Sequence, residues 1–312
     1  MPFAVGGSSR IRTNTPAENA YNALEVSNKN ISLRQLRLST GKRINNAGDD
    51  VAGYITSRAL QSRNGALKIA LRTVGDSTNV SNIAMDGLDN LNNILITIKD
   101  ATASAASGAM GTDERIALAK AAYRMCQQIQ TVVDSTVFGG QQLLTGSFTS
   151  DFVIGSNASN NLITMRVDLS STNTAEFNVD SSGFNMNALS TGNFAGITGL
   201  DLTQLNNVLS TNLGIFDPAQ MSLTISSISN AITNINKVAS YVGGIIQRLG
   251  SQEDLLKNQI VNYNTAISRI EDADVAVEQL ELVKSQFLQQ ASLISLTQAN
   301  ANPQAFLQLI KG

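Results

Sequence analysis

The 312-residue chain has no histidine and no tryptophan, and it has only one cysteine and four prolines. Without histidine there can be no HExxH zinc site, no Ser-His-Asp triad and no Cys-His pair. The lone Cys126 excludes an intrachain disulfide and a cysteine-ligated zinc site. We therefore expect no catalytic residue, no metal site and no cofactor, and we interpret the chain as a protein that is not an enzyme.

Charged residues make up 15% of the chain, and 22 basic against 24 acidic residues give a net charge of −2. This balance provides no drive toward nucleic acid or an anionic membrane, so neither is expected as a partner. No run approaches the roughly 18 apolar residues of a membrane span. The first residues lack a basic stretch followed by an apolar one, so we expect any route out of the cell to need no cleaved signal.

Long helices are predicted by the scarcity of proline and aromatics and by heptad stripes of apolar residues. Three strong stripes run through Val80–Ala105, Ile116–Val137 and Ile225–Ile270. Cys126 falls on the inner side of the second stripe, which favours a small core residue over a reactive thiol.

The two ends of the chain carry weaker stripes. Leu24, Ile31 and Leu38 recur by sevens but are interrupted by Asn28 and Gln35. Near the other end the stripe runs through Val277, Leu280, Phe287, Ala291 and Ile294, and Pro303 is expected to interrupt the helix. Either helix alone would be marginal in water, so we expect the two to pair. This arrangement predicts a rod with the middle of the chain at its tip.

Turn signals separate these helices. Asn14 or Thr15 is expected to cap the first helix, Asp49 and Asp50 to cap the second rather than bind a metal, and Thr112 to cap the third. Two short β-like runs, 152–154 and 162–169, with Gly155 to Asn161 between them, predict a hairpin. The segment 171–218, rich in Ser, Thr, Asn and Gly, is expected to be irregular.

Several motifs together resemble bacterial flagellin. They are RLSTGKRINNAGDDVAG at 37–53, SRIEDADVAVE at 268–278, LTQANANPQAFLQLI at 296–310 and FGGQQLLTG at 138–146, in which Gly139 stands where the family has Asn. The resemblance covers roughly residues 10–170 and 219–312. It implies a mainly α fold of long heptad-patterned helices, the D0 and D1 zones of flagellin, with a small β-hairpin.

The resemblance also implies a division of the chain. Residues 1–45 would hold the N-terminal D0 helix with a short extension, and 46–170 the N-terminal D1 helices and the hairpin. Residues 171–218 would be a short variable outer segment. Residues 219–270 would form the C-terminal D1 helix and 271–312 the C-terminal D0 helix.

The function implied is that of a structural subunit, exported unfolded by the flagellar type III apparatus, that polymerises into the extracellular filament for swimming. Its partners would be further copies of itself, an export chaperone, and hook-associated and cap proteins. A hook-filament junction protein of related fold and a cytosolic coiled-coil adaptor are the alternatives. The residues expected to form filament interfaces are Leu24, Ile31, Leu38, Arg43, Asn45, Asp49, Asp50, Arg269, Glu271, Asp272, Leu280, Phe287, Ile294 and Phe306.

One further expectation concerns an immune receptor. Many flagellins are bound by Toll-like receptor 5 through the second D1 helix, where an Arg and a Leu four residues later act as anchors. In this chain the matching positions hold Thr97 and Ala101. Threonine lacks the guanidinium fork and alanine loses most of the apolar area, so we expect weak recognition or none.

Overall fold

The computed structural model describes residues 13–156, 162–170, 208–209 and 213–311, and this part of the chain is mainly helical. The predicted fold class, long helices with a small antiparallel hairpin, is confirmed. The described residues form five α-helices: α1 Thr15–Thr40, α2 Val51–Ala105, α3 Thr112–Ser135, α4 Met221–Glu271 and α5 Val275–Lys311.

Two small antiparallel sheets follow α3. The first pairs β1 (Val137–Phe138) with β2 (Gln141–Gln142), and the second pairs β3 (Thr149–Ser156) with β4 (Leu162–Asp168). The second is the predicted hairpin, but β3 extends two residues into the segment predicted to be its turn. Val137, which the α3 stripe included, lies in β1 and is exposed. The predicted irregular segment 171–218 falls mostly outside the described residues.

The chain forms two compact units. A terminal unit comprises residues 1–64 and 261–312, and a central unit comprises residues 65–260. Helices α2 and α4 therefore contribute residues to both. The five-part division of the chain given above stays a prediction.

Helix α1 begins where the sequence predicts. Asn14 is its N-cap: the side-chain oxygen accepts a hydrogen bond from the Ala17 N–H at 3.3 Å. At α3 the prediction was wrong by one residue, because Gly111 is the N-cap and Thr112 is the first helical residue. The Glu114 carboxylate reaches back to accept the Gly111 N–H at 3.1 Å, so a glycine can end the turn without a capping side chain of its own.

Helix α5 corrects a second expectation, because it runs through Pro303 to Lys311 rather than breaking there. Proline has no N–H, so the carbonyl of Ala299 loses its helical donor. That carbonyl accepts a hydrogen bond from Asn14 Nδ2 at 2.9 Å instead. The loss at Pro303 is thus offset by a side chain from α1.

The central unit contains the apolar core that the strong stripes predict. Leu88, Leu91, Leu95 and Ile98 of α2 are fully buried, as are Tyr123 and Cys126 of α3 and Ile228, Val238 and Leu249 of α4. Burial raises the pKa of the Cys126 thiol to about 12. The thiol therefore stays protonated at neutral pH, and the interpretation of Cys126 as a core residue is confirmed.

Among the described residues, no helix is both long enough and apolar enough to span a membrane.

Two glycines of α2 provide a test of this packing. A Cβ at Gly87 would lie 2.7 Å from Leu144 Cδ1, whereas a Cβ at Gly75 meets nothing within 4 Å. Gly87→Ala should lower the free energy of unfolding by about 1–3 kcal/mol through overpacking. Gly75→Ala, the matched control, should raise it by about 0.5–1 kcal/mol. Thermal unfolding followed by circular dichroism measures both, and a stabilised Gly87→Ala protein would show that α2 does not pack here as described.

Candidate functional site

The terminal unit brings the two most distinctive sequence motifs together. The turn after α1 and the turn between α4 and α5 run side by side as an antiparallel bridge between Lys42 and Asp272. The Arg43 N–H donates to the Glu271 carbonyl at 2.7 Å, and the Ala273 N–H donates to the Gly41 carbonyl at 2.9 Å. Gly41 has φ +69°, the left-handed conformation that ends α1 and that glycine adopts without strain. We call residues 41–50 with 271–274 the paired turns.

Glu271 is the buried charge of the paired turns, with only 5% of its surface exposed. Its Oε1 lies 2.8 Å from Lys42 Nζ, and its Oε2 accepts a hydrogen bond from Gln61 Nε2 of α2 at 2.5 Å. Both carboxylate oxygens are therefore satisfied, as a buried carboxylate requires. Glu271 thus joins the end of α4 to the turn after α1 and to α2.

Two neighbouring aspartates act on different parts of the first turn. Asp49 Oδ2 accepts the N–H groups of Asn45 and Asn46, each at 2.9 Å. Both bonds lower the pKa of Asp49 below its ordinary value, and the bond from Asn46 has the larger effect. Asp50 Oδ1 accepts the Gly53 N–H at 3.0 Å and caps α2, as predicted. The same prediction was wrong for Asp49, because its carboxylate binds the N–H groups of the preceding turn instead.

The remaining residues predicted here are more exposed. Arg43 Nη2 donates to the Ile270 carbonyl at 2.8 Å and lies 3.6 Å from Asp50 Oδ2. Arg269 and Asp272 are exposed, and the next helix is capped by Asp274 Oδ1, which accepts the Ala276 and Val277 N–H groups at 2.9 and 3.2 Å. Among the described residues, no group of three or more acidic or cysteine side chains is placed to hold a metal ion.

Helices α1 and α5 pack antiparallel within the terminal unit, and polar side chains join them. Glu278, 5% exposed, lies between Arg34 at 2.7 Å and Arg37 at 3.2 Å. Further along, Gln289 Nε2 donates to Asn28 Oδ1 at 2.6 Å. Glu278 and its two arginines were not among the residues predicted from the sequence to form contacts. The available signal was the seven-residue spacing that places Glu278 in line with Ser285 and Ala299, which are also buried.

The face of α5 that meets α1 carries little apolar surface. The buried residues among the described side chains of these two helices are Ala20, Ser27, Glu278, Leu282, Ser285 and Ala299. Leu24, Ile31 and Leu38 of the α1 stripe are half-buried. The pair therefore forms, as predicted, but among its described side chains Leu282 is the only large apolar one that is buried.

The apolar stripe of α5 lies on the other side of the helix. Leu280, Phe287 and Ile294 are 65%, 68% and 68% exposed. The expectation that the two terminal stripes meet each other is therefore wrong for α5, because its inner face is the polar one. We call Leu280, Phe287 and Ile294 the outer apolar face. Phe306 lies further along α5, where the structure describes the backbone but not this side chain.

The two positions expected to matter for a receptor lie on α2 in the central unit. Thr97 is exposed, and its hydroxyl donates back to the Asn93 carbonyl at 2.9 Å. Ala101, one turn later, is half-buried. Neither offers a charged donor or a large apolar side chain.

Comparisons with known proteins agree with the motifs. The family model of the bacterial flagellin N-terminal helical region matches residues 11–149, and that of the C-terminal helical region matches residues 225–310. The flagellin of Halalkalibacterium halodurans is 28% identical over 305 residues, which are 96% of this chain and 99% of that one. The flagellin of Bacillus subtilis is 27% identical over 311 residues, 97% and 100% of the two chains.

A solved structure shares the fold. It is a chain from Vibrio parahaemolyticus described as a flagellar hook-associated protein, with a TM-score of 0.55, 13% sequence identity, and coverage of 72% of this chain and all of that one. The two family models and the full-length relatives show the class: the chain belongs to the bacterial flagellin family. It is a structural subunit of the flagellar filament, outside the cell.

Replacing Glu271 tests the paired turns. Glu271→Gln keeps the side-chain shape but removes the charge that Lys42 and Gln61 contact, which should cost about 1–2 kcal/mol locally. Amide exchange of peptides spanning residues 41–61 should therefore accelerate about tenfold.

Glu253→Gln is the matched control for Glu271→Gln. It removes a carboxylate from the solvent-exposed pair with Lys257 and should leave exchange unchanged. Equal effects of the two substitutions would contradict the assigned role of Glu271.

Proposed function

We propose that this chain polymerises with copies of itself into a helical filament, and that the outer apolar face is one of its contact surfaces. The observation that carries the proposal is the exposure of Leu280, Phe287 and Ile294 on a helix whose inner face is polar. Burying one such side chain contributes about 1.5–3 kcal/mol. A neighbouring subunit that covers all three would thus stabilise both the contact and the helix pair.

The paired turns have a supporting part in this proposal. Within the subunit Asp50 caps α2, and the contacts of Arg43, Asn45, Asp49, Glu271 and Asp272 hold the turn after α1 against the end of α4. Their contacts with other subunits, and those of Leu24, Ile31, Leu38, Arg269 and Phe306, belong to the proposal.

The weakness of the terminal helices also supports export of the unfolded chain. A helix pair that lacks an apolar core is marginal by itself, so the chain can be passed unfolded through the flagellar type III apparatus and fold as it assembles. We propose an export chaperone and the hook-associated and cap proteins as further partners, swimming as the purpose, and no catalytic activity or cofactor.

A hook-filament junction protein is the second candidate, and the shared fold of the hook-associated chain favours it. Against it, the flagellins match over nearly the whole of both chains. Electron microscopy of the purified protein under polymerising conditions separates these two functions and the cytosolic adaptor. Long filaments of uniform diameter support the filament subunit, short or capped oligomers support a junction protein, and discrete dimers support a cytosolic adaptor.

Phe287 allows the contact surface to be tested without disturbing the fold. Phe287→Gln places a polar side chain at a 68% exposed position, so monomer helicity should not change. The critical concentration for polymerisation should rise roughly 30-fold, because about 2 kcal/mol of apolar burial is lost. Sedimentation of polymer at increasing protein concentration measures it.

Phe287→Leu is the matched control because it retains most of the apolar area. It should polymerise near the wild-type concentration. If Phe287→Gln polymerises equally well, the outer apolar face is not a subunit contact.

We also propose that Toll-like receptor 5 recognises this chain weakly or not at all, because Thr97 and Ala101 lack the anchors. A few anchors carry most of an interface's binding energy, so losing both should lower potency by orders of magnitude. A cell reporter assay with monomeric protein tests this, and Thr97→Arg combined with Ala101→Leu should raise the response. Activation by the wild-type chain at the potency of a flagellin that carries Arg and Leu would overturn the proposal.

A further inference from the structure

Asn14 makes two hydrogen bonds with the two ends of one amide group. Its oxygen accepts the Ala17 N–H at 3.3 Å and caps α1, while its nitrogen donates to the Ala299 carbonyl of α5 at 2.9 Å. Serine or aspartate can also cap a helix, but a carboxylate has no donor and a serine side chain is shorter than the asparagine amide. The second bond therefore explains why an amide suits this position.

The Ala299 carbonyl is available only because of Pro303. In an α-helix the N–H of residue 303 would donate to the carbonyl of residue 299, and proline has none. Ala299 is only 7% exposed, so water has little access to satisfy this carbonyl. Asn14 and Pro303 are thus complementary: one supplies the donor that the other removes.

The packing of small side chains between α1 and α5 specifies alignment poorly. Ala20, Ser27 and Ser285 are buried there, and small side chains offer similar packing at successive turns of a helix. Polar contacts are better suited to select one register between two helices. Three such contacts are spread along the pair. Asn14 with Ala299 lies toward one end, Arg34 and Arg37 with Glu278 lie toward the other, and Gln289 with Asn28 lies between them.

We propose that Asn14 is a positioning residue that, through the carbonyl left open by Pro303, fixes the register of α1 along α5. The register decides which residues of α1 flank the outer apolar face. This consequence for assembly rests on the proposed function, whereas the register itself does not.

The test is a double-mutant cycle in the full chain. Asn14→Ser keeps a capping oxygen and removes the amide donor, and Pro303→Ala restores the backbone donor to the Ala299 carbonyl. Amide exchange of peptides covering residues 13–24 and 293–303 is measured on filaments, and on the monomer at labelling times down to milliseconds. Asn14→Asp, which also retains a cap, is carried through the same cycle.

Asn14→Ser should accelerate exchange in both peptides about fivefold, the effect of one lost hydrogen bond. In the Pro303→Ala background the same substitution should change exchange less than twofold, because the carbonyl no longer needs Asn14. Equal acceleration in both backgrounds, or none in either, would overturn the proposal. A chain that forms no sedimenting polymer but retains the coupling in the monomer would instead overturn the proposed function and leave this inference standing.

Discussion

The contact between α1 and α5 is made largely by small and polar side chains, and the rest of the terminal unit follows from that. Ala20, Ser27 and Ser285 are buried between the helices, while Phe287 and its neighbours on the outer apolar face are exposed. A helix pair obtains most of its stability from buried apolar area, and here that area is turned away from the pair. We therefore propose that neighbouring subunits complete the terminal helices, as a polymer subunit would require.

Polar contacts supply specificity where apolar packing is weak. Glu271 and Glu278 are both buried carboxylates, and each is matched by cations or donors from a distant part of the sequence. Such pairs add little net stability because desolvation offsets the attraction, but breaking one leaves an unpaired buried charge. They therefore favour a single arrangement of α1, α4 and α5 over others of similar apolar burial.

The sequence predicts the central unit well because its apolar residues and its partners lie in the same chain. Leu91 and Ile98 of α2 and Cys126 of α3 are buried on the predicted faces, and the hairpin forms where the alternating residues indicate. Periodicity shows that a helix has an apolar side, but not whether the partner of that side is in the same molecule. In α5 it is the polar side that packs against α1. The prediction that the apolar stripes of the two helices meet was therefore wrong.

Other features depend on pairings that no local pattern reveals. Pro303 predicts a helix break by itself, and only the position of Asn14, 289 residues earlier in the chain, explains why α5 continues. The acidic residues of the paired turns were identified from their motifs. That Gln61 and Lys42 are the partners of Glu271 could be seen only in the folded structure. Local sequence patterns thus locate caps and turns, whereas their long-range hydrogen-bond and ion-pair partners depend on the tertiary structure.

We propose that the outer apolar face, which is exposed in the single chain, is covered by neighbouring copies in the filament. A helical cryo-EM reconstruction of filaments grown from the purified protein tests this most directly. We predict that Leu280, Phe287 and Ile294, which are about two-thirds exposed in the single chain, become buried against other subunits in the filament. Filaments in which these three side chains remain exposed to solvent would contradict the account.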